Sequence, residues 1–283
     1  MFGLSLRFDL LLGNTRDSAL IKLSETFSGL DGLLTAVKNE GIQSVELRAL
    51  FPEHKPSDAL KMAENVWKNG MQITVHSFIS SEETAVEDVL NPVSEILKNL
   101  KQESLTITLH AIKNKDFPEV ETSPVPTINA LKKLAEAIKD LPVTIALENN
   151  RKKKDDDPGN SWDKVLDIVK AVDNEKVKIC WDMGHHYYNC QISEDDDFLV
   201  PSDEFLKRVA HTHIHGVVNN TTHYDLDETN LPLEKYLNAL NKYYKGVYNL
   251  ELTPDYWAGY KDVYQGIETS IKTLLLCSTK CKV

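Results

Sequence analysis

Short runs of β-branched and apolar residues recur along this chain, separated by longer stretches whose apolar positions fall three and four apart. The short runs are FGLSLRF (2–8), SVELRAL (44–50), QITVHSF (72–78), SLTITLH (104–110), VTIALEN (143–149), VKICWDM (177–183), VAHTHIH (209–215) and VYNLEL (247–252). Each has strand composition and is bounded by polar or turn residues. SDALKMAENVWKNG (57–70), PTINALKKLAEAIKD (126–140), SWDKVLDIVKAV (161–172), LEKYLNALNKYY (233–244) and YQGIETSIKTLLL (264–276) carry the period of a helix with one buried face. Ser161 is placed as an N-cap. Eight strands alternating with helices predict an α/β fold of the closed (βα)8, TIM-barrel type. No GxGxxG follows the first strand, which argues against an open doubly wound sheet. No linker or composition break divides the chain, so residues 1–283 read as one barrel domain.

Strand side chains alternate faces, so inward residues lie two apart. The last inward polar residues are read as Glu46, His76, His110, Glu148, Asp182, His213 and Glu251. In a parallel barrel all C-terminal strand ends open on one mouth, where active sites are built. A ring of carboxylates and imidazoles there predicts a divalent metal site, with manganese, zinc, cobalt, iron or magnesium as candidates. Glu148, Asp182, His213 and Glu251 come from four successive strands and are ranked as the primary ligands. His76 and His110, on the opposite wall, are assigned to further metals, substrate contact or structure. Glu46 is read as pairing with Arg48. Asp182-Met183-Gly184-His185 is read as a tight turn that returns His185 to the mouth. Along HTHIH, His211 is the deepest, His213 has the depth of a ligand, and His215 lies nearest the rim as a substrate contact. His223, in a polar loop, reads as a surface residue. Trp181, Tyr187 and Tyr188 offer aromatic surface near the mouth, for sugar stacking or for packing.

Composition narrows the partners. Hydrophobic residues are 41% and charged residues 27%, a folded globule's mix. No stretch is long and apolar enough to span a bilayer. MFGLSLRFDLLLGN, interrupted by Arg7 and Asp9, reads as a first strand rather than a secretory signal. The four cysteines show no CxxC spacing, which predicts reduced thiols and a cytoplasmic protein. A net charge of −11 disfavours nucleic-acid partners, and the basic run 151–154 is followed at once by DDD. Homo-oligomerisation is left open.

The strand ends ALENN, CWDMGHH, HTHIHG and NLEL resemble the xylose isomerase-like barrel superfamily, which includes sugar isomerases, ketohexose epimerases and endonuclease IV. Likeness to the epimerase branch implies one divalent ion on Glu148, Asp182, His213 and Glu251. It further implies that Glu148 and Glu251 move protons on opposite faces of a sugar, with His185 touching its oxygens. The endonuclease IV pattern, which implies three zincs, overlays His76, His110, Glu148, Asp182, His185, His213, His223 and Glu251. It departs at Thr221, where that branch has an aspartate. The Gly-x-Gly step after the histidine loop is also replaced by DETNLP (227–232), and LRFD of strand one matches neither branch.

Two functions follow as expectations. One is a metal-dependent isomerase or epimerase of a small sugar or sugar derivative, working through an enediolate, or through a hydride shift without an external base. Its catalytic pair is Glu148 and Glu251, its substrate contacts His185, His215, His76 and His110. The other is zinc-dependent phosphodiester cleavage of abasic DNA. A binding protein, or a hydrolase or lyase reusing the same site, forms a third class.

Overall fold

The computed structural model describes residues 1–113, 123–152, 157–193, 200–227, 229–254 and 261–281. Its strands are β1 (Phe2–Arg7), β2 (Ser44–Leu50), β3 (Gln72–Ser77), β4 (Leu105–Leu109), β5 (Val143–Glu148), β6 (Val177–Asp182), β7 (Val209–Ile214), β8 (Gly216–Val218), β9 (Thr221–Tyr224) and β10 (Tyr248–Leu250). All but β8 and β9 close a parallel barrel in the order β1-β10-β7-β6-β5-β4-β3-β2. The predicted α/β barrel is therefore the observed one, and its eight strands are the eight read from the chain. The helices are α1 (Phe8–Leu11), α2 (Ser18–Thr26), α3 (Leu30–Asn39), α4 (Pro56–Lys68), α5 (Ala85–Lys98), α6 (Val125–Ala137), α7 (Trp162–Val172), α8 (Met183–Ser193), α9 (Asp203–Leu206), α10 (Leu233–Leu240) and α11 (Val263–Lys280).

Local chemistry accounts for the helix bounds. Pro56 opens α4, where a missing N–H costs nothing, and Ala59, Met62, Ala63 and Val66 form its buried stripe. Asp17 caps α2 and Asp262 caps α11, each accepting two backbone N–H groups. Ser161 stands at the N-cap of α7 in extended conformation, but its side chain makes no capping hydrogen bond. Among the described residues, no helix is long and apolar enough to cross a membrane. Lys153 and Lys154 of the basic run, and Glu228 of 227–232, lie outside the described residues.

The alternation of each barrel strand sorts its side chains into two environments. Leu4, Leu6, Val45, Leu47, Ile73, Val75, Ile107, Ile145, Leu147, Ile179 and Leu250 are fully or almost fully buried between barrel and helices. The intervening positions, which face the barrel axis, are mostly polar. One layer holds Ser5, Glu46, Thr74, Thr108, Cys180, His211 and Asn249, all buried. Two residues further along the same strands stand Arg7, Arg48, His76, His110, Glu148, Asp182, His213 and Glu251. A barrel interior is more often filled by branched apolar residues. Here the hydrophobic core lies outside the barrel, and the inside carries charge.

Candidate metal centre and mouth cavity

His213 is the hub of the upper layer. Its Nδ1 lies 3.1 Å from Glu251 Oε2, 3.3 Å from Glu148 Oε2 and 4.0 Å from Asp182 Oδ2. Parallel register places these groups together: Asp182 is level with His213 across β6 and β7, and Glu148 is level with Cys180 across β5 and β6. The ring is oriented from below, where His213 Nε2 meets Glu46 Oε2 at 3.0 Å. Glu46 is itself held by Ser5 Oγ at 2.6 Å and by His211 Nε2 at 3.0 Å. Glu46 therefore belongs to the deeper layer and does not pair with Arg48, contrary to the sequence expectation. Arg48 is the last inward residue of β2, and its Nε reaches Glu251 Oε1 at 2.8 Å.

The other carboxylates are also fixed at their outer edges. Glu148 Oε2 meets His76 Nε2 at 3.1 Å and His110 Nε2 at 3.0 Å. Asp182 Oδ1 accepts the His185 backbone N–H at 2.7 Å, so it caps α8 as that helix starts directly from β6. The expected tight turn is thus the first turn of a helix, and that turn returns His185 Nδ1 to 3.0 Å from Asp182 Oδ2. Asn149 ties the two strand ends together. Its Oδ1 accepts the Asp182 N–H and its Nδ2 donates to the Asp182 carbonyl, both at 2.9 Å.

Two histidines lie elsewhere than expected. His215, placed at the rim from the sequence, is fully buried, with Nε2 3.1 Å from Asp182 Oδ1 and Nδ1 accepting the His223 N–H at 2.9 Å. His223, read as a surface residue, turns inward beside His185, with 3.2 Å between their Nε2 atoms. The cause is a hairpin of β8 and β9 that the sequence reading passed over. Asn219 and Asn220, at φ +48° and +58°, form its tip, and His223 itself has φ +64°. The Asn-Asn pair between two short apolar-polar runs was the available signal. Trp181 packs wholly inside, against Phe205 and Tyr236.

Charge in this layer is set by the partners. Burial alone would push the Glu148 carboxyl up, but His110 and His213 hold it well below the ordinary range. Burial likewise opposes ionisation of Glu251, and Arg48 with His213 overrides it. Burial works against a charged His185 ring, yet Asp182 and Glu148 push its pKa up to about 10. Several atoms nevertheless stay unsatisfied. Glu148 Oε1, Glu251 Oε2 and His213 Nδ1 are buried and make no hydrogen bond. Three carboxylate oxygens around one imidazole nitrogen, with that nitrogen and Glu251 Oε2 left without hydrogen bonds, are the donor set a divalent first-row ion or zinc requires. His76 and His110 with Glu148, and His185 with His215 and His223, form two further clusters of ligand-capable atoms.

A cavity of about 290 Å³ opens above the centre, lined by Arg48, Phe51, His76, Phe78, Glu148 and Glu251 among others. It adjoins an outer cavity of about 650 Å³ and shares Arg48, His110, His185 and His223 with it. Both lie at the C-terminal ends of the strands, and they are of the size that takes a small molecule.

Residues 34–274 match the family model described as "Xylose isomerase-like TIM barrel". No curated protein sequence matches the chain. Among solved structures, a D-tagatose 3-epimerase-like protein superposes with a TM-score of 0.67 at 17% identity, covering 99% of this chain and 98% of that one. D-psicose 3-epimerase, solved in the presence of D-fructose, gives 0.66 at 15% identity, with 99% of each chain covered. The IOLI protein with a binding zinc atom gives 0.63 at 15% identity over 98% of each chain. At these identities the likeness shows the fold.

Proposed function

The chain belongs to the xylose isomerase-like TIM barrel family, and from that premise we propose that it is a divalent-metal-dependent isomerase or epimerase of a small sugar or sugar derivative. The supporting observation is the orphaned His213 Nδ1, within 4.0 Å of oxygens from Glu148, Asp182 and Glu251 on the floor of a mouth cavity. The names of the similar structures, one a 3-epimerase, one 3-epimerase-like and one holding zinc, point the same way. We take residues 1–283 to act as one catalytic domain. The four cysteines form no disulfide among the described residues, which fits a cytoplasmic setting.

Glu148, Asp182, His213 and Glu251 would hold the ion. Bound there, it supplies Lewis-acid stabilisation of the negative charge that develops on substrate oxygens as a proton leaves the neighbouring carbon. Glu148 and Glu251 are the proton carriers. Both are kept ionised in the free protein, so either can accept the proton. They differ in their outer partners. Glu251 is held by Arg48, a permanent cation, whereas Glu148 is held by His76 and His110. The His110 side chain is 36% exposed, so it links Glu148 to solvent and offers a path for proton exchange. His185, wedged between Glu148 and Asp182 and lining both cavities, is assigned to the substrate oxygens. His215, fully buried, is reassigned from substrate contact to positioning Asp182.

The test is metal-loaded protein in deuterium oxide with a panel of ketoses and aldoses. The reading requires carbon-bound deuterium in recovered substrate or product, lost in Glu148→Gln and Glu251→Gln. A panel with neither exchange nor interconversion overturns it. A second reading, metal-dependent phosphodiester cleavage, is favoured by the two additional histidine clusters, which have the composition of further metal sites. Three ions per chain together with incision of an abasic oligonucleotide would select it.

A further inference from the structure

The outer cavity has a charge opposite to that of the molecule. The chain carries a net charge of −11, yet this cavity is lined by Arg7, Arg48, Lys113 and Arg151, with no carboxylate among its described lining residues. Three of these cations already have acidic partners. Arg7 pairs with Asp9 and Asp17, Arg48 with Glu251, and Lys113 with Asp157 at 2.7 Å. Arg151 has no ion pair among the described residues. Its guanidinium is held by neutral groups, stacked 5.6 Å from the Tyr188 ring and 3.4 Å from Thr222 Oγ1. Tyr188 comes from α8 and Thr222 from β9, so two elements fix a charge that no described residue neutralises.

Beside it, Asn150 is 5% exposed and lines the same cavity, and its Nδ2 has no hydrogen-bond partner. A buried amide donor without a partner, next to a fixed unpaired guanidinium, is a donor pair awaiting an acceptor that carries negative charge. Both follow β5 directly. Arg151 is three residues beyond Glu148, so the backbone places it within about 10 Å of that carboxylate's Cα. A substrate with its carbonyl end at the centre would thus carry its far end to Arg151.

Resting on the isomerase reading above, we propose that the substrate is a sugar bearing a terminal anionic group, phosphate or carboxylate, held by Arg151 and Asn150 in the outer cavity. Arg151 then sets specificity and takes no part in proton transfer. The two anion sources differ in geometry. A phosphate offers a third oxygen to the Asn150 amide while the guanidinium fork takes two, whereas the fork engages both oxygens of a carboxylate and leaves Asn150 the lesser contact.

The experiment has a binding arm and a turnover arm. Inorganic phosphate, and separately D-gluconate, are titrated calorimetrically into wild-type protein, Arg151→Gln, Arg151→Lys and Asn150→Ala. We expect Arg151→Gln to weaken binding of at least one anion by about tenfold or more, and Arg151→Lys to restore part of it. Asn150→Ala should weaken phosphate more than gluconate if phosphate is the native group, and both little if carboxylate is. In the turnover arm, fructose 6-phosphate and a keto-sugar acid are compared with fructose for solvent deuterium exchange. An anionic sugar should have the higher kcat/KM, mainly through KM, and Arg151→Gln should shrink that preference. Equal anion binding by wild type and Arg151→Gln, or a preference for the neutral sugar, overturns the proposal. Anion binding that depends on Arg151, with no sugar exchanged at all, supports the anion subsite and overturns the isomerase reading instead.

Discussion

The two walls of the barrel mouth carry opposite chemistry. The wall of β5, β6 and β10 contributes Glu148, Asp182 and Glu251, all buried carboxylates. The facing wall of β2, β3 and β4 contributes Arg48, His76 and His110. His213 on β7 sits among the acids, with Glu46 orienting it from below. Neither wall is stable alone. Three carboxylates brought together would raise one another's pKa and take up protons. The facing wall prevents this by placing Arg48 on Glu251 and the two histidines on Glu148. The acids are left ionised, and Glu251 Oε2 faces His213 Nδ1 with no hydrogen bond to either atom. On the proposed reading one wall binds the ion, and the other maintains the charge state that allows binding.

That division makes graded predictions. Breaking the acid wall has the largest effect: His213→Ala or Asp182→Asn should abolish tight binding of the ion and lower kcat/KM by about 10³-fold or more, read by elemental analysis and kinetics. Removing the ion with a chelator comes next. At a free concentration 100 times its Kd the ion stabilises the fold by about 2.7 kcal/mol, so the melting temperature should fall and recover on re-addition. On the facing wall, Arg48→Gln should cost roughly tenfold to hundredfold in kcat/KM, with partial rescue by Arg48→Lys, because it removes the partner of a buried carboxylate. His110→Asn should cost less, about tenfold, and should fall on kcat and solvent exchange more than on KM, if the partly exposed ring carries proton traffic as proposed.

The smallest effect concerns the metal-free protein. The His185 pKa is raised, to about 10. A raised value stabilises the fold fully below the ordinary histidine pKa, near 6.5, and that contribution is lost as pH climbs toward 10. Metal-free His185→Asn should thus melt a few degrees below wild type at pH 6 and at nearly the same temperature at pH 10. An equal deficit at both values would show that His185 matters through packing alone.

The difference between the walls also explains what the chain disclosed before folding. The acid wall was legible because Glu148, Asp182, His213 and Glu251 each stand at or beside the end of a strand in which inward polar residues alternate with mostly apolar outer ones. The facing wall was read less well. On β2, Glu46 and Arg48 share a face, and alternation alone does not say which of two polar residues ends the strand. Only the register, with Glu46 level with Ser5, puts it one layer down. His223 was missed because its position depends on the hairpin at Asn219 and Asn220, a tertiary excursion with little hydrophobic pattern of its own. The first turn of α8 was read as a tight turn rather than a helix start; Gly184 has low helix propensity, and the Asp182 cap that offsets it is also a candidate ligand. Unpaired charge, as at Arg151, is invisible in a sequence, because pairing is a property of the folded mouth.

The central claim is that Glu148, Asp182, His213 and Glu251 share one cation, and anomalous diffraction from crystals grown with zinc or manganese tests it most directly. A strong peak is expected at about 2.0–2.3 Å from a carboxylate oxygen of each acid and from His213 Nδ1. A crystal with no peak among these four groups, or with its only ion on other residues, would contradict it.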